Sequence, residues 1–457
     1  MNNFSIYNSL TKKIETIEPI TPGQIGMYSC GPTVYDNVHI GNLRAFITAD
    51  LLQRSLRHIT GYDVKWVMNI TDIDDKMIAR AHDRYPDAKP EEALHELADE
   101  FTKQFLGDLA KVGVKSTDFF KQPRATDHID EMQVIIRELL DDKIAYVADG
   151  SIYFSLENYT KSGKIYGQLA DVEFDAQARI DDQDQKQGAG DFALWKAAQP
   201  GEPAWDFEVD SDNLRGRPGW HIECNAMSTK YLGHTFDIHT GGIDLKFPHH
   251  ENEIAQNNGN LAHYWVHNEF LHVDSEKMSK SLGNFQTLSD IENPIAFRLL
   301  VLSSHYRKQM DFTAEALAAA QNRIASLREW VSRAINNQTK IHSATITKIR
   351  EAFDQSIAAD LGVSSALAFV AELEKTEMYG PEVVEFIQHL DDVLGLQLLD
   401  NQTNLRADES VMQLLSNRAD VRKHKDFDRS DSIRDSLRKL GVGIEDTPHG
   451  QIIWQIA

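Results

Sequence analysis

Near the N-terminus, the spacing of apolar residues is first typical of a strand, then of a helix, and then of a strand again. Residues 25–29 form a short apolar run that predicts a buried strand, and residues 64–70 form a second one. Between them, the apolar positions from Leu43 to Leu56 fall on one helical face, and Gly61 follows where that helix would end. A strand, a helix and a strand in so short a stretch predict a βαβ unit and a parallel, doubly wound sheet.

The pattern changes several times along the rest of the chain. Residues 90–145 are mostly helical in period, and a turn at 148–150 precedes a predicted strand at 151–154. The acidic, weakly periodic stretch 171–212 predicts a loop or insertion, after which the sheet resumes near 216–255. Helical periodicity then runs from about residue 285 to about 395. The polar residues 400–404 predict a linker into a small C-terminal module.

Composition and charge place the chain among globular proteins. It has 457 residues, 41% of them hydrophobic and 26% charged, which predicts about two to four domains. The net charge of −23 argues against a broad surface that coats nucleic acid. In residues 402–457, however, nine Lys and Arg balance nine Asp and Glu, so an RNA contact at the C-terminal end is electrostatically feasible.

The chain shows no signal for export or membrane insertion. Its first residues lack a basic segment followed by an apolar one, which argues against a secretory signal. Its apolar runs are all shorter than the roughly 20 residues that a spanning helix needs. These features predict a cytoplasmic protein without membrane contact.

Two short segments have the chemistry of phosphate binding. The first, which we call the His39 turn, is His39, Ile40, Gly41 and Asn42, where the predicted first helix begins. Free backbone N–H groups and the helix dipole favour an anion there, and Gly41 lets a nucleotide approach the backbone closely. His39 and Asn42 offer side-chain donors. Taken alone, the segment is better explained as a helix-capping turn.

The second segment, which we call the KMSKS segment, comprises Lys277, Met278, Ser279, Lys280 and Ser281. Taken alone, it is explained as a solvated polar loop. In a functional interpretation its two lysines neutralise the phosphates of ATP as pyrophosphate leaves. The two segments, in this order, resemble the ATP-binding signatures of class I aminoacyl-tRNA synthetases. That resemblance implies catalytic roles for His39, Asn42, Lys277 and Lys280. Most such enzymes have a second histidine where this chain has Asn42.

A third cluster has metal-ligand character. His249 and Glu253 stand four residues apart, on one face of a probable helix, and His250 with Glu253 is a weaker alternative pair. The only two cysteines, Cys30 and Cys224, are too few for a secreted disulfide framework. Together, two thiols, an imidazole and a carboxylate suit Zn²⁺. Two unrelated buried thiols and ordinary histidines at a helix start remain the alternative.

Five stretches of this chain resemble cysteinyl-tRNA synthetase, and the similarity extends essentially from end to end. They are residues 30–35, 69–76, 219–224, 247–253 and 444–448. The resemblance implies zinc ligands at Cys30, Cys224, His249 and Glu253. It implies a cysteine pocket that includes Gly31, Thr33, Thr71 and Trp220. It also implies that the ATP-binding residues are His39, Gly41, Asn42, Gly241, Gly242, Asp244, Lys277 and Lys280. Family members usually carry a further glycine where this chain has Thr240.

The implied reaction is ATP-dependent ligation of L-cysteine to tRNA(Cys) through a cysteinyl-adenylate. One Zn²⁺ per chain would select the substrate thiolate, and Mg²⁺ would accompany ATP. Serine differs from cysteine by one atom, so a pocket that read shape alone would discriminate poorly, whereas Zn²⁺ favours a thiolate. Glu253 is expected to be the weakest of the four ligands. The enzyme is expected to be a monomer.

The predicted fold class is α/β, with a Rossmann-like parallel-sheet catalytic domain, an inserted subdomain, a helical bundle and a small C-terminal anticodon-binding module. The expected layout places the first half of the catalytic domain at 1–110, the inserted acceptor-end subdomain at 111–213 and the second half at 214–256. A stem-contact region with the KMSKS segment follows at 257–310, the bundle at 311–400 and the anticodon module at 401–457.

Three other functions remain open on the sequence alone. A ligase that joins cysteine to a small amino-sugar would share both ATP motifs and the zinc site, but it can omit the C-terminal module. A zinc hydrolase would need an open water site beside a general base and would leave the KMSKS segment unexplained. A non-catalytic tRNA-binding homologue would be expected to lose residues such as Lys280 or Cys224, and both are present.

Overall fold

The structure is a computed structural model, which describes residues 3–170, 186–278, 283–336, 343–376, 378–447 and 450–456. Lys280 and most of the KMSKS segment lie outside the described residues, as does part of the acidic stretch.

The strands are β1 Ser5–Asn8, β2 Lys13–Thr16, β3 Gln24–Ser29, β4 Asp63–Met68, β5 Ala145–Ala148, β6 Ser151–Phe154, β7 Phe192–Ala197, β8 Glu208–Val209, β9 Asp212–Asn213, β10 Gly216–Pro218, β11 Phe236–Gly242, β12 Ala262–Asn268, β13 Leu271–Val273, β14 Glu276–Lys277, β15 Met310–Phe312, β16 Val442–Thr447 and β17 Gly450–Gln455.

The α-helices are α1 Ile40–Ser55, α2 Asp75–Arg84, α3 Pro90–Lys111, α4 Ile129–Asp141, α5 Leu156–Lys161, α6 Trp220–Leu232, α7 Glu251–Gln256, α8 Pro294–Ser303, α9 Ala314–Asn336, α10 Ser343–Ala358, α11 Val363–Lys375, α12 Pro381–Leu394, α13 Leu398–Ala407, α14 Glu409–Lys423 and α15 Phe427–Lys439. Short 3₁₀ and π turns connect several of them. No described helix combines the length and the apolar character needed to cross a bilayer.

The central sheet has four parallel strands in the order β12-β11-β3-β4. Its strands carry large buried side chains such as Met27, Trp66 and Trp265, as expected for a parallel sheet that is covered on both faces. The predicted βαβ unit is therefore confirmed by β3, α1 and β4. The sheet extends beyond residue 256, because β12 is its edge strand.

Helix α1 begins at the His39 turn and continues into a π turn over Leu56–Thr60. The predicted end at Gly61 is confirmed: this glycine has φ +78°, the left-handed conformation that glycine adopts most readily. The helix is buried along nearly its whole length, so it crosses the core rather than lying on the surface.

A second sheet, β10-β7-β6-β5, is antiparallel and lies in the segment between β4 and β11. The predicted hairpin of β5 and β6 is confirmed, with Asp149 and Gly150 both at positive φ in its turn. The expectation that 171–212 is only loop or insertion is wrong for residues 192–197. They form β7, an inner strand of this sheet, because Phe192, Leu194 and Trp195 are buried against its neighbours.

The helical region after residue 285 is joined to the catalytic sheet by a buried ion-pair network. Asp50 of α1 accepts from Arg298 Nη2 of α8 at 2.5 Å and from Arg54 Nε at 2.8 Å. Arg298 Nε also donates to the carbonyl of Leu394, the last residue of α12. The first helix of the sheet and the bundle therefore share one set of buried charges.

The C-terminal module has its own small core of Val411, Leu437, Val442 and Ile453. The predicted linker at 400–404 is wrong, because these residues lie inside α13. Leu398 is fully buried at the start of that helix, and Leu405 packs against the small core near its end. Packing at both ends therefore holds a polar stretch in a helix that its own composition would not favour.

Candidate functional site

The candidate site lies beyond the carboxyl ends of the parallel strands, where open α/β sheets bind their ligands. The loop after β3 brings Cys30 there, and the chain after β11 leads into α7 with Glu253. Cys224 comes from α6, which packs near the same edge. Three separate parts of the chain therefore converge at this edge of the sheet.

Four potential metal ligands predicted from the sequence meet in this pocket. One ligand atom each of Cys30, Cys224, His249 and Glu253 lies within 4.8 Å of all the others, and the four side chains are buried. The two sulfurs are 3.7 Å apart, and Cys30 Sγ is 3.7 Å from Glu253 Oε1. His249 Nε2 is 3.1 Å from the same carboxylate oxygen.

These spacings fit a tetrahedral zinc site. Metal–ligand bonds of about 2.0–2.3 Å imply ligand–ligand distances of about 3.3–3.8 Å around a tetrahedron. His249 Nε2 is buried and makes no hydrogen bond to any described residue, although a carboxylate oxygen lies 3.1 Å away. His249 Nε2 and Glu253 Oε1 are therefore close without being aligned for a hydrogen bond. This arrangement is expected when both atoms coordinate the same metal ion. The donor set and its spacing both fit Zn²⁺.

A second set of buried groups shares two members with the first: Cys30, His239, His250 and Glu253. Its imidazoles have hydrogen-bond partners already. His239 Nε2 lies 2.9 Å from Glu253 Oε2, and His250 Nε2 lies 3.4 Å from Cys30 Sγ. These histidines orient the thiol and the carboxylate. No local spacing in the sequence points to His239, and His250 was expected only as a weaker alternative partner of Glu253.

A relay of polar groups extends from this pocket toward the N-terminal strands. His250 Nδ1 lies 2.8 Å from His267 Nε2, and His267 Nδ1 lies 2.8 Å from Ser9 Oγ. Burial lowers the pKa of His267 to about 3, so its ring is neutral. His267 lies in β12, beyond the helix that carries Glu253, and no local spacing pointed to it.

The orientation of His249 is set by two neighbours. Its Nδ1 lies 2.9 Å from His221 Nδ1, and its ring stacks on Trp220 with centroids 4.3 Å apart. Burial lowers the pKa of His249 well below its usual value and lowers that of His221 to about 3. A neutral imidazole is the form that binds a metal ion. The indole of Trp220 remains 43% exposed, so it borders both the metal pocket and the solvent.

The thiol of Cys30 is also kept neutral by its surroundings in the absence of a cation. Burial and, after it, the hydrogen bond with Cys224 raise the pKa of Cys30 well above its usual value. A bound divalent cation reverses this preference, because a coordinating thiol loses its proton. Metal binding at this site is therefore expected to release protons.

The predicted cysteine-pocket residues Gly31, Thr33 and Thr71 lie together at the ends of β3 and β4. Thr33 and Thr71 pair in a short parallel bridge. Gly31 N donates to Asn69 Oδ1 at 2.8 Å, and a Cβ on Gly31 would lie only 1.6 Å from the Asn69 carbonyl oxygen. Glycine is therefore required where the two loops approach each other.

Thr71 is held by a buried carboxyl group. Its Oγ1 donates to Glu223 Oε2 at 3.1 Å, and it accepts from Asn69 Nδ2 at 3.1 Å. Burial raises the pKa of Glu223 well above its usual value. This contact ties Thr71 to α6, the helix that carries Trp220 and Cys224.

The His39 turn is the N-terminus of α1, as predicted. His39 Nδ1 accepts from the backbone N–H of Asn42 at 3.2 Å, and Asn42 Oδ1 accepts from the backbone N–H of His39 at 3.3 Å. This reciprocal pair is a capping box. Asn42 therefore has a helix-capping role in addition to any role toward phosphate. Burial lowers the pKa of His39, and the charge of Asp244 opposes that effect.

The KMSKS segment and the His39 turn are in contact where the structure describes them. A Cβ on Gly41 would lie 3.4 Å from Met278 Cε, and the ring of His39 meets Phe285 at 5.5 Å between centroids. Lys277 ends the hairpin strand β14 and is exposed. Two segments separated by more than two hundred residues thus form neighbouring walls of one site.

The carboxyl end of β11, with the turn that follows it, continues the same wall. A Cβ on Gly241 would lie 2.7 Å from His250 Cε1, and one on Gly242 would lie 2.5 Å from Asp244 Oδ1. The threonine that departs from the family pattern, Thr240, is buried, and its Oγ1 lies 2.6 Å from Ser29 Oγ in β3. The hydroxyl thus finds a partner across the sheet, and the strand remains regular.

The C-terminal basic stretch is partly neutralised within the module. Arg418 makes two hydrogen bonds to the carboxylate of Asp446, at 2.7 and 2.8 Å, and Arg422 pairs with the same carboxylate at 3.2 Å. Arg418 is buried. These two arginines therefore hold α14 against β16.

Two family models match the chain. The tRNA synthetases class I (C) catalytic domain matches residues 16–322, and the cysteinyl-tRNA ligase anticodon binding domain matches residues 406–453. The chain is 39% identical to the cysteine–tRNA ligase of Staphylococcus haemolyticus, over 98% of each sequence. It is also 39% identical to that of Thermococcus onnurineus, again over 98% of each.

A solved structure shares the fold. Mycobacterium tuberculosis methionyl-tRNA synthetase in complex with methionyl-adenylate superposes with a TM-score of 0.55 at 12% identity, covering 82% of this chain and 88% of that one. This likeness concerns the fold alone, and it agrees with the predicted fold class. Because both the catalytic and the anticodon-binding models match, and the relatives match nearly end to end, the chain belongs to the cysteine–tRNA ligase family of class I aminoacyl-tRNA synthetases.

Proposed function

We propose that this enzyme, a cysteine–tRNA ligase, activates cysteine with ATP in the pocket between the four ligand side chains and the His39 turn, and then transfers it to tRNA(Cys). The observation that carries the proposal is the convergence of Cys30, Cys224, His249 and Glu253 within 4.8 Å. This donor set lies at the same edge of the sheet as a helix N-terminus suited to phosphate.

Zn²⁺ would be held by Cys30, Cys224, His249 and Glu253. When bound, it supplies a Lewis acid that favours the ionised form of a thiol over a neutral hydroxyl, and so distinguishes cysteine from serine. The protein contributes the orientation of the donors. His221 and Trp220 orient His249, while His239 holds one carboxylate oxygen of Glu253. Glu253 shares its charge with that imidazole, which supports its role as the weakest ligand.

The remaining surface of cysteine is recognised by the loops that end β3 and β4. Gly31 allows the close approach of those loops, and Thr71 offers a hydroxyl whose orientation is set by Glu223. Thr33 lies beside Thr71. Trp220 supplies a partly exposed apolar wall with an indole N–H donor. These groups position the cysteine so that its carboxylate points toward the phosphates.

ATP is bound at the His39 turn and along residues 241–244. His39 Nδ1 accepts from a backbone N–H, so its other ring nitrogen carries the proton and can donate to a phosphate oxygen. Asp244 would accept from ribose hydroxyl groups, and Gly41 and Gly242 leave room for the nucleotide. Lys277 and Lys280 neutralise charge on the departing pyrophosphate, together with the Mg²⁺ that accompanies ATP.

The chemistry is a displacement at the α-phosphorus. A carboxylate oxygen of cysteine attacks, the bond to the β-phosphate oxygen breaks, and pyrophosphate leaves. No side chain need form a bond, because alignment and charge neutralisation lower the barrier. A ribose hydroxyl at the 3′ end of tRNA then attacks the mixed anhydride and releases AMP. The C-terminal module, residues 401–457, is assigned to anticodon contacts, and the enzyme acts as a monomer.

The test is ATP–pyrophosphate exchange with cysteine, serine and valine, before and after removal of zinc. We expect exchange with cysteine only, its loss on chelation, and its return when Zn²⁺ is added. As a matched pair, His249→Ala should lose zinc, whereas His234→Ala, at an exposed histidine, should retain it. Exchange with serine equal to that with cysteine, or exchange indifferent to chelation, would contradict the proposal.

A second assay separates tRNA charging from the amino-sugar alternative. Purified enzyme with ATP and cysteine is offered either tRNA(Cys) or a small amino-sugar. We expect cysteine to become attached to the tRNA in a base-labile ester, and no amide to form with the sugar. Formation of the amide without charging of tRNA would favour the alternative.

A further inference from the structure

A buried arginine links the two ATP-binding segments. Arg44 lies two residues after the His39 turn and is fully buried. Its Nη1 donates to the carbonyl of Phe270 at 2.6 Å, and its Nη2 donates to the carbonyl of Lys308 at 2.5 Å. Both acceptors are backbone atoms, so the guanidinium fixes the path of the chain next to β13 and β15 relative to α1.

The side chain of Phe270 lies next to the first lysine of the KMSKS segment. Lys277 Nζ is 4.9 Å from the centroid of the Phe270 ring, which is within the range of a cation–π interaction. The ring is half-buried, while Lys277 is exposed. Phe270 thus has its carbonyl bound to the ATP-binding helix and its ring bound to the ATP-binding lysine.

The backbone between these two residues is held by a tight hairpin. β13 and β14 are joined by Asp274 and Ser275, both at positive φ. Asp311 holds the turn by accepting from Ser275 N at 2.7 Å and from its Oγ at 2.8 Å. The base of Lys277 is therefore fixed, and the freedom that remains lies in its four side-chain torsions.

We propose that Phe270 is a positioning residue for Lys277, and that its ring holds the ammonium group beside the His39 turn before ATP binds. This deepens the proposed function, on which it rests, by giving a reason why one exposed lysine can act with a defined geometry. A free lysine side chain loses rotamer entropy when it is ordered. Contact with the ring restricts those torsions in advance, so less is lost in the transition state.

The decisive variant is Phe270→Leu. It keeps the backbone carbonyl that Arg44 binds and an apolar side chain, but it removes the aromatic face. An exposed cation–π contact is worth about 0.5–1 kcal/mol. We therefore expect kcat for cysteine-dependent ATP–pyrophosphate exchange to fall about two- to five-fold, with the KM for cysteine unchanged. Phe270→Trp, which keeps an aromatic face, should restore the rate.

A double-mutant cycle with Lys277→Ala distinguishes an effect of Phe270 that acts through Lys277 from a general structural effect. If the ring acts through the lysine, Phe270→Leu should cause no further loss once Lys277 is alanine. Equal losses in both backgrounds would overturn the inference, as would failure of Phe270→Trp to restore the rate. If Lys277→Ala itself leaves exchange unchanged, the role assigned to Lys277 in the proposed function is wrong. If Lys277→Ala is slow but Phe270→Leu is not, only the present inference is wrong.

Discussion

The proposed metal pocket and the proposed phosphate-binding end, formed by the His39 turn and Lys277, are built in opposite ways. Cys30, Cys224, His249 and Glu253 are all buried and come from three parts of the chain. At the other end, Lys277 is exposed, and the His39 turn presents backbone N–H groups at a helix N-terminus. The end proposed to bind the amino acid is therefore buried, whereas the end proposed to bind the nucleotide is open to solvent.

This difference follows the chemistry of the two substrates. Recognition of a single sulfur atom needs donors in exact positions, and burial keeps the imidazoles neutral and in place. A triphosphate brings several charges and its own magnesium ion, and it needs neutralisation over a larger area. An exposed lysine can provide that and still release pyrophosphate. We expect substitutions at the buried end to abolish function and those at the open end to slow it.

The largest loss of activity is expected from substitutions in the buried metal-ligand cluster. Cys224→Ala removes a sulfur that lies 3.7 Å from the other thiol, so three protein ligands remain. Bound zinc should fall well below one per chain, and cysteine-dependent exchange should drop by more than about 100-fold. Metal analysis and exchange assays measure both. An enzyme with full zinc content and normal exchange would contradict the ligand assignment.

The buried ion pairs that join α1 to α8 should contribute strongly to the stability of the protein. Asp50 lies in α1, and its neutral variant Asp50→Asn would leave Arg298 and Arg54 without a buried counter-charge. We expect the free energy of unfolding to fall by about 3–5 kcal/mol, measured by denaturant titration at pH 7. The control variant Glu157→Gln, which breaks an exposed ion pair with Lys161 in α5, should leave the free energy of unfolding nearly unchanged.

The difference in unfolding free energy between wild type and Asp50→Asn should depend on pH. Burial alone would raise the pKa of Asp50, but the charges of Arg298 and Arg54 outweigh burial and lower it. The stabilisation is therefore fully present above the unfolded value of about 3.9 and is lost as the pH falls through the lower folded value. The stability gap between wild type and Asp50→Asn should narrow only below about pH 4. A stability difference that narrows between pH 5 and pH 7 would contradict the lowered pKa of Asp50.

At the open end, Lys277→Ala should slow the reaction without affecting cysteine binding. Loss of one group that stabilises transition-state charge lowers kcat by about 10²–10³-fold. The KM for cysteine should stay unchanged, because the thiol lies at the other end of the site. Single-turnover formation of adenylate measures the step directly. Lys161→Ala, at an exposed lysine in α5, is the matched control and should behave as wild type.

A milder test at the buried end is His239→Ala. It removes the hydrogen bond to Glu253 Oε2 at 2.9 Å but leaves all four ligands. Zinc affinity should fall by about 10- to 100-fold, as measured by competition with a chelator. Unchanged affinity would mean that Glu253 is oriented by its helix alone.

The smallest effect is expected for Asn42→Ala. It removes the side-chain half of the capping box at the His39 turn, worth about 1 kcal/mol in stability. Exchange should slow by less than about tenfold, because the backbone N–H groups remain. Asn42→His would test whether a second histidine adds to the rate. A loss as large as that of Lys277→Ala would show that the amide binds phosphate directly.

Much of the site could be predicted because its signals are local. His249 and Glu253 face the same point because they are four residues apart, and the His39 turn begins a helix because of its place before an apolar period. His239, His250 and His267 could not be assigned in this way. They line the pocket from two strands and a π turn, so their grouping depends on which strands are neighbours in the sheet.

The same limit explains the errors in the fold. β7 was hidden in an acidic stretch, since only Phe192, Leu194 and Trp195 mark it, and its partner strands are distant in sequence. Residues 400–404 carry turn-forming side chains, yet they are helical because packing at Leu398 and Leu405 outweighs local propensity.

The sequence by itself determined the family, the βαβ start of the fold, the four candidate zinc ligands and the two candidate ATP-binding segments. Each depends on residue type, local spacing and the resemblance of short motifs to those of a family, which the chain carries without folding. The tertiary structure decided which donors have partners already, how the imidazoles around the metal pocket are oriented, and that Arg44 and Phe270 connect the His39 turn to Lys277. These depend on contacts between separate strands, helices and loops, and such contacts exist only once the strands have paired and the helices have packed.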